Sequence, residues 1–568
     1  MGLFSILSVG TRGLFASTMG MDVAGQNISN ADVEGYSRKR LTTTADYRYD
    51  STFGQMGFGV DVVNIQRMRD GMIDEQIRRQ NQQVGMYTAH DDTLQKIENV
   101  FSEPGANGLQ TYIDNFFDSW QNVINNPADL SARTMVRTSA EIMNDVFHNV
   151  SGELAALKES LNENIAQSAK RANELLKEIA NVNTEVGAVE MGDQKANDSR
   201  DRRDVLLKEL SGLINVDTIE NDQGQISVTS NGNMLVSPSG YRQIETTTQS
   251  FTLPDGTQFS NIGLRFADSK RAFVPTQGTI KGYYDSRDVI VPAYQAQIDT
   301  MATTLVTKVN ELHQRGYSLN GYTGNAFFNS DTTGASDIAL APEIINDVQN
   351  IAAASGGAPI AATQAAIPAG QADFGTLPLP QLSKTLGRLW VVGDPANQEA
   401  RNMVRGSVIV QAGATTLIEG VDYHIDYVNG TMQMLHGGYN GQALTVDFNY
   451  DTGQFAGPGD NSNALTIAQL RHQLTMSPDP LGNETNTFSQ YYSAFIGQLG
   501  LQRNEATANL ETRQYLVTQY ESHQEAIAGV SLDEEMADII KYQHTYTATA
   551  RLISTASQML DVLMSMAL

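Results

Sequence analysis

Hydrophobic positions recur every seven residues at both ends of the chain. Near the start, Leu7, Leu14, Met21 and Ile28 form one series, and Leu3, Gly10, Ser17 and Ala24 form a companion series of mostly small residues. Together they predict a helix of about four heptads with an a/d stripe, about 40 Å long at about 1.5 Å per residue. Near the end, Leu532, Ile539, Tyr546, Ile553, Leu560 and Ala567 repeat at the same interval, with Met536, Gln543, Ala550, Ser557 and Met564 as the second series. Ser531 stands where a helix N-cap belongs. Asp533, Glu534 and Glu535 follow in the first turn, where the helix dipole favours carboxylates. Beyond Lys541 the charges are Arg551 and Asp561, so this helix is expected to need a partner: the N-terminal helix, another subunit or a chaperone.

Between the ends the helical period recurs. Ile73, Ile77, Val84, Tyr87, Leu94 and Phe101 predict one helix between Arg69 and Glu103. A second runs from Gly108 to Pro127, with Leu109, Tyr112, Phe116, Trp120 and Val123 on one face. A third, very long helix runs from about Ser131 to Glu190. Its stripe steps by four twice in a row, through Leu157, Leu161 and Ile165, a stutter that locally unwinds a supercoil. The long stripe is expected to pack within the chain. Further helices are expected over Asp201–Leu213, Ser286–Arg315 and Thr487–Ile527.

Two blocks break this pattern. Val216 to Tyr284 alternates β-favouring runs (Gln225–Thr229, Gly263–Phe266) with the turn signals Asn221-Asp222-Gln223-Gly224, Asn231-Gly232 and Pro254-Asp255-Gly256. The second block opens with an Ala/Gly/Pro-rich stretch, Ala352 to Pro380, that reads as loop or linker. Strand signals follow at Arg388–Val392, Ser407–Gln411, Tyr423–Tyr427, Thr431–Leu435 and Leu444–Tyr450, with turns at Asn429-Gly430 and Asn440-Gly441. The fold class that emerges is multidomain and mainly α: a long coiled-coil-like helical rod built from both chain ends, carrying two inserted β-rich domains. The expected division is terminal coiled-coil segments over 1–46 and 529–568, a helical rod over 47–215, 285–332 and 459–528, a first β insertion over 216–284, and a second over 333–458.

Composition narrows what the chain can do. Its 568 residues imply several cores, about one per 150 residues. Lysine and arginine number 38 against 64 acidic residues, a formal charge of -26, which argues against nucleic acid and against an anionic membrane surface. No run approaches the roughly 18 consecutive apolar residues of a membrane span. The apolar first 20 residues lack a basic leader and are interrupted by glycines, so they read as part of the working protein. Met1-Gly2 hints at myristoylation, but Ile6 stands where Ser or Thr is wanted. With no cysteine, disulfides, thiolate metal sites and cysteine nucleophiles are excluded.

Catalytic constellations are not legible, and no cofactor is expected. The eight histidines (His90, His148, His313, His424, His436, His472, His523, His544) are scattered, without HExxH or close-pair spacing, and read as solvated or capping residues. Walker A and GxSxG sequences are absent. Gly54-Gln55-Met56-Gly57-Phe58-Gly59 departs from GxGxxG and reads as a turn before a strand over Val60–Ile65. Asp217–Gly224 and Asp451–Asn461 lack the alternating ligands of a calcium loop and read as solvated turns.

One segment carries more information than its neighbours. In Gln26-Asn27-Ile28-Ser29-Asn30-Ala31-Asp32-Val33-Glu34-Gly35-Tyr36-Ser37-Arg38, polar residues end the first helix, Asn30 and Gly35 suit turns, and Tyr36 opens an extended run to Leu41. The segment resembles the N-terminal signature of the bacterial flagellar axial proteins, which show an Asn-Ile-Ala-Asn run shortly before Gly-Tyr; here Ser29 replaces the alanine and Glu34 the commoner proline. Gly529-Val530-Ser531-Leu532-Asp533-Glu534-Glu535-Met536, with Tyr542-Gln543, Tyr546, Ala550-Arg551 and Met559-Leu560, is similar to the matching C-terminal signature. Rod-type termini around a long helical domain with β insertions resemble the hook-associated branch, which joins hook to filament. The match over 333–458 is one of placement and character only.

That resemblance implies a structural subunit, not an enzyme, exported unfolded by the flagellar type III pathway and assembled as a homo-oligomer in a helical ring. The implied partners are the flagellar hook protein, the next hook-associated junction protein and an export chaperone on the C-terminal helix. The termini would be disordered in the free monomer and fold on assembly. The assembly interface is expected at Leu7, Leu14, Met21, Ile28, Asn30, Gly35 and Tyr36 and at Leu532, Ile539, Tyr546, Ile553, Leu560 and Met564. Two alternatives stay open: a flagellin-like or hook-like filament subunit, and a secreted enzyme or binding protein that uses flagellar termini for export, with its activity in Thr333–Pro458.

Overall fold

The computed structural model describes residues 3–46, 49–51, 54–101, 108–192, 194–252, 258–355, 359–367, 384–388, 408–419, 421–426, 431–434, 439, 444–451, 457–478 and 484–567. The chain begins with helix α1 (Leu3–Ser29), then a two-stranded antiparallel ribbon of β1 (Lys39–Ala45) and β4 (Val60–Arg67), with a small hairpin of β2 (Tyr49–Ser51) and β3 (Gly54–Met56) at its tip. The glycine-rich run is therefore part strand, because Gly54–Met56 pairs with Tyr49–Ser51, and only Gly57–Gly59 turns into β4.

The rod follows. Helices α2 (Gly71–Phe101), α3 (Leu109–Asn125), α4 (Leu130–Glu190) and α5 (Asn197–Leu213) come before the first β block. The α4 stripe buries Val136, Met143, Phe147, Leu154 and Leu161 in one core, with Trp120 and Phe116 of α3. From Ile165 through Val186 it enters a second core. The stutter at Leu157, Leu161 and Ile165 thus falls where one helix passes between two hydrophobic cores. Helix α5 starts at Asn197, four residues before the expected Asp201; the earlier turn is anchored by the Asn197 side chain on the Ile65 carbonyl at 2.8 Å.

The first β block holds β5 (Asp217–Glu220), β6 (Ile226–Ser230), β7 (Asn233–Ser237) and β8 (Gly240–Tyr241) as one antiparallel sheet, and β9 (Ile244–Thr252) with β10 (Gln258–Phe266) as a hairpin. Asn231 and Gly232 adopt φ of 49° and 75°, the left-handed pair that a tight hairpin between β6 and β7 requires. Pro254-Asp255-Gly256 lies outside the described residues. Three asparagines on α4 hold this block by pairing their carboxamides with strand backbone. Asn162 donates to Ser260 O and accepts from Ile262 N, Asn173 does both with Ile244, and Asn183 does both with Ile226, at 2.6–3.0 Å.

Helix returns at α6 (Thr279–Asp285), seven residues before the expected Ser286. It runs through a π turn over Ser286–Ile290 into α7 (Val291–His313). Gly278, at φ 88°, ends the loop, and the π turn presents the buried Arg287 to Asn162 Oδ1 at 2.9 Å and to the Ile262 carbonyl at 2.6 Å. The wider turn was invisible to a 3.6-residue pattern.

Beyond it lie β11 (Gly316–Tyr317), α8 (Pro342–Asn346) and β12 (Ala354–Ser355), then strands β13 (Pro359–Ile367), β14 (Lys384–Arg388), β15 (Ile409–Ala412), β16 (Thr415–Thr416), β17 (Tyr423–Asp426), β18 (Thr431–Met434) and β19 (Leu444–Asp451). These last seven form sheets in the order β13-β19-β15-β16 and β14-β18-β17. Part of the expected linker is therefore strand: β13 pairs with β19 from Pro359↔Asp451 to Ile367↔Leu444, a sheet partner overriding a loop-like composition. The turns Asn429-Gly430 and Asn440-Gly441 and residues 389–392 lie outside the described residues. The rod resumes with α9 (Ser462–Gln469), a hairpin of β20 (Met476–Pro478) and β21 (Glu484–Asn486), and α10 (Phe488–Ala528), opened by a capping box between Thr487 and Gln490. The chain ends in α11 (Leu532–Ala567), which returns antiparallel along α1.

One histidine departs from the solvated reading. His313 is fully buried, its Nδ1 on Asn325 O at 2.6 Å and its Nε2 accepting from Ala352 N at 2.8 Å. Burial, with Arg133 nearby, pushes its pKa down to about 4, against the pull of the Asn325 carbonyl.

Candidate assembly surface and the clasp at its base

The line along which α1 meets α11 is made of small residues. Gly10, Gly13, Ala16, Ser17, Gly20 and Ala24 are buried on α1, and a Cβ added at three of these glycines would collide with α11. At Gly10 it would lie 2.5 Å from Ile553, at Gly13 2.8 Å from Thr549, and at Gly20 2.6 Å from the Tyr542 ring. The backbones approach closely because α1 has nothing to place between them. Gly13, Gly20 and Asn27 follow one another at intervals of seven, and so do Glu535, Tyr542, Thr549 and Ala556, of which Ala556 is 2% exposed. Gly13 faces Thr549, Gly20 faces Tyr542 and Asn27 faces Glu535.

The last rung is polar. Asn27 donates from Nδ2 to Lys39 O (2.9 Å) and to Glu535 Oε2 (3.0 Å), and its Oδ1 accepts from Lys39 N (2.9 Å) and the Tyr36 hydroxyl (2.8 Å). All its polar capacity is therefore used, as burial demands. Glu535, 3% exposed, also takes Arg38 Nε at 2.6 Å, while Arg38 Nη1 reaches Glu534 at 2.7 Å and Arg38 N donates to Ala528 O at the end of α10. Burial would lower the Arg38 pKa, but the two glutamates hold it above the ordinary arginine value. Burial, helped by Asp198, Asp201 and Glu535, pushes Tyr36 up to about 12, so its hydroxyl stays a neutral donor.

The same clasp ties the terminal pair to the rod. Ser37 donates from N and Oγ to Asp201 of α5, Arg67 reaches Asp201 and Asp204, and Arg69 joins Asp74 of α2 to the Ser37 hydroxyl. Gly35, at φ 81°, packs its bare Cα directly against the Val205 side chain.

The outward faces are apolar and open. Phe15 on α1 is 59% exposed, and Met536, Ile540, Leu552, Met559, Val562 and Leu563 on α11 are exposed as well. A monomer does not ordinarily present such a row.

The residues expected at the interface divide accordingly. Leu7, Leu14, Met21 and Ile28 are half-buried and flank the small-residue line rather than form it. Ile539, Ile553 and Leu560 are likewise half-buried, and Leu532, Tyr546 and Met564 are exposed, Met564 by 68%. Asn30 caps the end of α1 with its amide on Gln26 O, and Gly35 and Tyr36 are engaged inside the clasp. Asn27, Arg38 and Glu535 lie within the two terminal signatures but were not among the residues expected at the interface, although the continuation of Gly13 and Gly20 by an asparagine at the same interval is a signal for the first of them. Among the described residues no group of three or more His, Asp or Glu is placed to hold a metal ion, and no helix is long and apolar enough to cross a membrane.

Comparison with known proteins agrees with this architecture. Residues 94–328 match the family model of the flagellar hook-associated protein FlgK helical domain, and residues 522–566 that of the flagellar basal body rod FlgEFG protein C-terminal region. The chain is 24% identical to flagellar hook-associated protein 1 of Bacillus subtilis (strain 168), over 98% of this chain and 97% of that protein. It is also 24% identical to the protein of that name in Salmonella typhimurium, over 99% of each. In fold it resembles the flagellar hook junction protein FlgK from Burkholderia pseudomallei, with a TM-score of 0.53 at 17% identity, covering 79% of this chain and 100% of that one. Over nearly its whole length the chain is similar to the flagellar hook-associated proteins, and its helical domain matches their family model, which supports a structural role in the bacterial flagellum.

Proposed function

We propose that this chain forms the junction ring between hook and filament. Copies assemble by packing the exposed faces of the α1–α11 pair against one another. The observation that carries this reading is the row of exposed apolar side chains on that pair, Phe15, Ile540, Leu552, Met559 and Leu563 among them. Heterologous contacts of this kind repeat around a helical lattice without a two-fold partner. The hook protein is the neighbour below and the next hook-associated protein the neighbour above. The chain reaches this place outside the cell unfolded, through the flagellar type III pathway, with an export chaperone covering α11. Its terminal segments order on assembly.

Deletion of the gene tests the assignment, with cells viewed by electron microscopy and the medium assayed for flagellin. The expected result is completed hooks without filaments and flagellin lost to the medium, unrescued by a chain lacking residues 532–568. Normal filaments would overturn the junction role, and long fibres from the purified protein alone would make it a filament subunit.

A further inference from the structure

The rod core reaches further along the chain than its helices suggest. Ala335, Ile338, Leu340, Ile344 and Ile351 are buried in the same core as Phe116 and Phe147. The strands beyond them are different. Among the described residues, every strand from Pro359 to Asp451 pairs only with others of that stretch. Val410, Ile425, Met432, Leu444, Val446 and Phe448 are buried there, and none of them belongs to either rod core. A hydrophobic cluster apart from its neighbours is the mark of a separate folding unit.

The two ends of that stretch are tied together where they leave the rod. The outgoing strand β12 pairs with β11, Gly316 opposite Ser355 and Tyr317 opposite Ala354. The returning chain bonds to the same strand and the residues before it. Ser355 N donates to Asp460 Oδ2 at 3.0 Å, Asn463 Nδ2 donates to Ala352 O at 2.8 Å, and Asn463 N and Ala464 N both donate to Ala353 O at 3.1 Å. A Cβ on Gly316 would collide with the Asn463 carboxamide. Both ends are also anchored in the rod. Ala352 N donates to His313 Nε2 at 2.8 Å, Ile351 O accepts from Arg133 of α4, and Asn461 Nδ2 donates to Ile124 O at 2.7 Å. Asp460 Oδ1 accepts from Ser462 N at the start of α9. These bonds run between the rod and the two ends themselves, so they persist when the stretch between them is absent.

We propose that residues 356–459 form a module that the rod carries without depending on it, and that the rod and its assembly surfaces are complete once Ser355 and Asp460 are joined. Whatever the module does is then separable from assembly, and its sequence can change while Asp460 and Asn463 hold the neck closed. The folding half of this inference stands apart from the junction reading, and the assembly half rests on it.

Calorimetry tests the folding half on three proteins: the full-length chain, a chain in which two glycines replace residues 356–459, and full-length Val446→Asp. Val446 is fully buried in β19, so a carboxylate there has no partner. The excised chain is expected to lack one transition of the parent and to keep the rod transition within about 4 °C. Val446→Asp is expected to lower that same missing transition by about 10 °C or more and to leave the rod's in place. This second variant keeps the test decisive if the glycine joint itself misfolds. A rod transition that falls together with the module's in Val446→Asp would make the two one cooperative unit and overturn the proposal. For the assembly half, the excised chain is expected to restore swimming to a deletion strain. Failure of the excised chain where the full-length chain succeeds would overturn dispensability, whereas failure of both would instead count against the junction reading.

Discussion

Arg38 and Glu535, 497 positions apart in the chain, meet through a 2.6 Å hydrogen bond from Nε to Oε1. Each belongs to one of the two terminal signatures, so the resemblance carried by the separate ends is a single contact in three dimensions. The Glu535 side chain is 4% exposed and that of Arg38 25%. Arg38→Ala would leave the carboxylate with Asn27 alone, at a cost of about 1.5–3 kcal/mol. The partial exposure of Arg38 keeps this below the penalty of breaking a fully buried pair. The expected outcome is faster amide hydrogen exchange over the first turns of α11, with α4 unchanged. Equal exchange in parent and variant would show that the pair is dispensable.

Gly35 gives a second test at the same site. Its φ of 81° disfavours any side chain, and a Cβ there would collide with Val205. Gly35→Ala is expected to destabilise the loop on α5 by about 1–3 kcal/mol. Adding Val205→Ala removes the collision but not the backbone strain, so it should restore part of the loss. Thermal unfolding of the single and double variants separates the two contributions, and full recovery in the double variant would refute the strain.

The helices were legible because each buries one stripe, and α4, Leu130–Glu190 in the structure, could be traced from about Ser131 to Glu190 with its stutter in place. What the stutter meant was not legible, since only the structure places Leu161 and Ile165 in different cores. The terminal contact was expected at the large residues Leu7, Leu14, Met21 and Ile28, beside a companion series of mostly small ones at Leu3, Gly10, Ser17 and Ala24. The helices instead close on Gly13 and Gly20, because bare backbone permits the nearest approach, and the large residues are left at the flanks. The clasp was not legible for a different reason: Asn27, Arg38 and Glu535 stand in two signatures at opposite ends of the chain, and only the fold brings them into contact.

Asn162, Asn173 and Asn183 make a related prediction for the first β block. Asn183 Oδ1 accepts from Ile226 N at 2.7 Å and its Nδ2 donates to Ile226 O at 2.9 Å, with the residue fully buried. Asn183→Leu orphans both backbone groups, an expected loss of about 1–3 kcal/mol for each one left buried and unsatisfied. Hydrogen exchange should rise in β6 while the rod helices keep their protection. A change confined to α4 would mean that the asparagine serves the helix instead.

His313 sets a pH dependence whose sign follows from its burial. Its folded pKa of about 4 lies below the ordinary histidine value of about 6.5. The unfolded chain therefore takes up the proton first as pH falls. The stability contributed by neutral His313 is complete above about pH 6.5, declines below that, and levels off once pH passes below about 4. His313→Gln can still donate to Asn325 O and accept from Ala352 N, so it should fold and lack this component. Denaturation midpoints compared between pH 7 and pH 4.5 are expected to fall further in the parent than in the variant. Parallel curves would locate the acid sensitivity elsewhere.

The outward face of the terminal pair separates folding from assembly. Phe15 is 59% exposed and Leu552 42%, so a charge at either position meets water in the single chain and costs the monomer little. In an assembled ring the same charge would be buried against apolar neighbours without a partner, at a cost of several kcal/mol. Phe15→Glu and Leu552→Glu are therefore expected to leave thermal stability within about 0.5 kcal/mol of the parent while failing to restore motility to a deletion strain. Phe15→Leu, which keeps the surface apolar, should restore it. Normal motility with both glutamate variants would exclude this face from the subunit contacts and move the search to the exposed side of α10, where Leu501 and Tyr515 stand free of the rod.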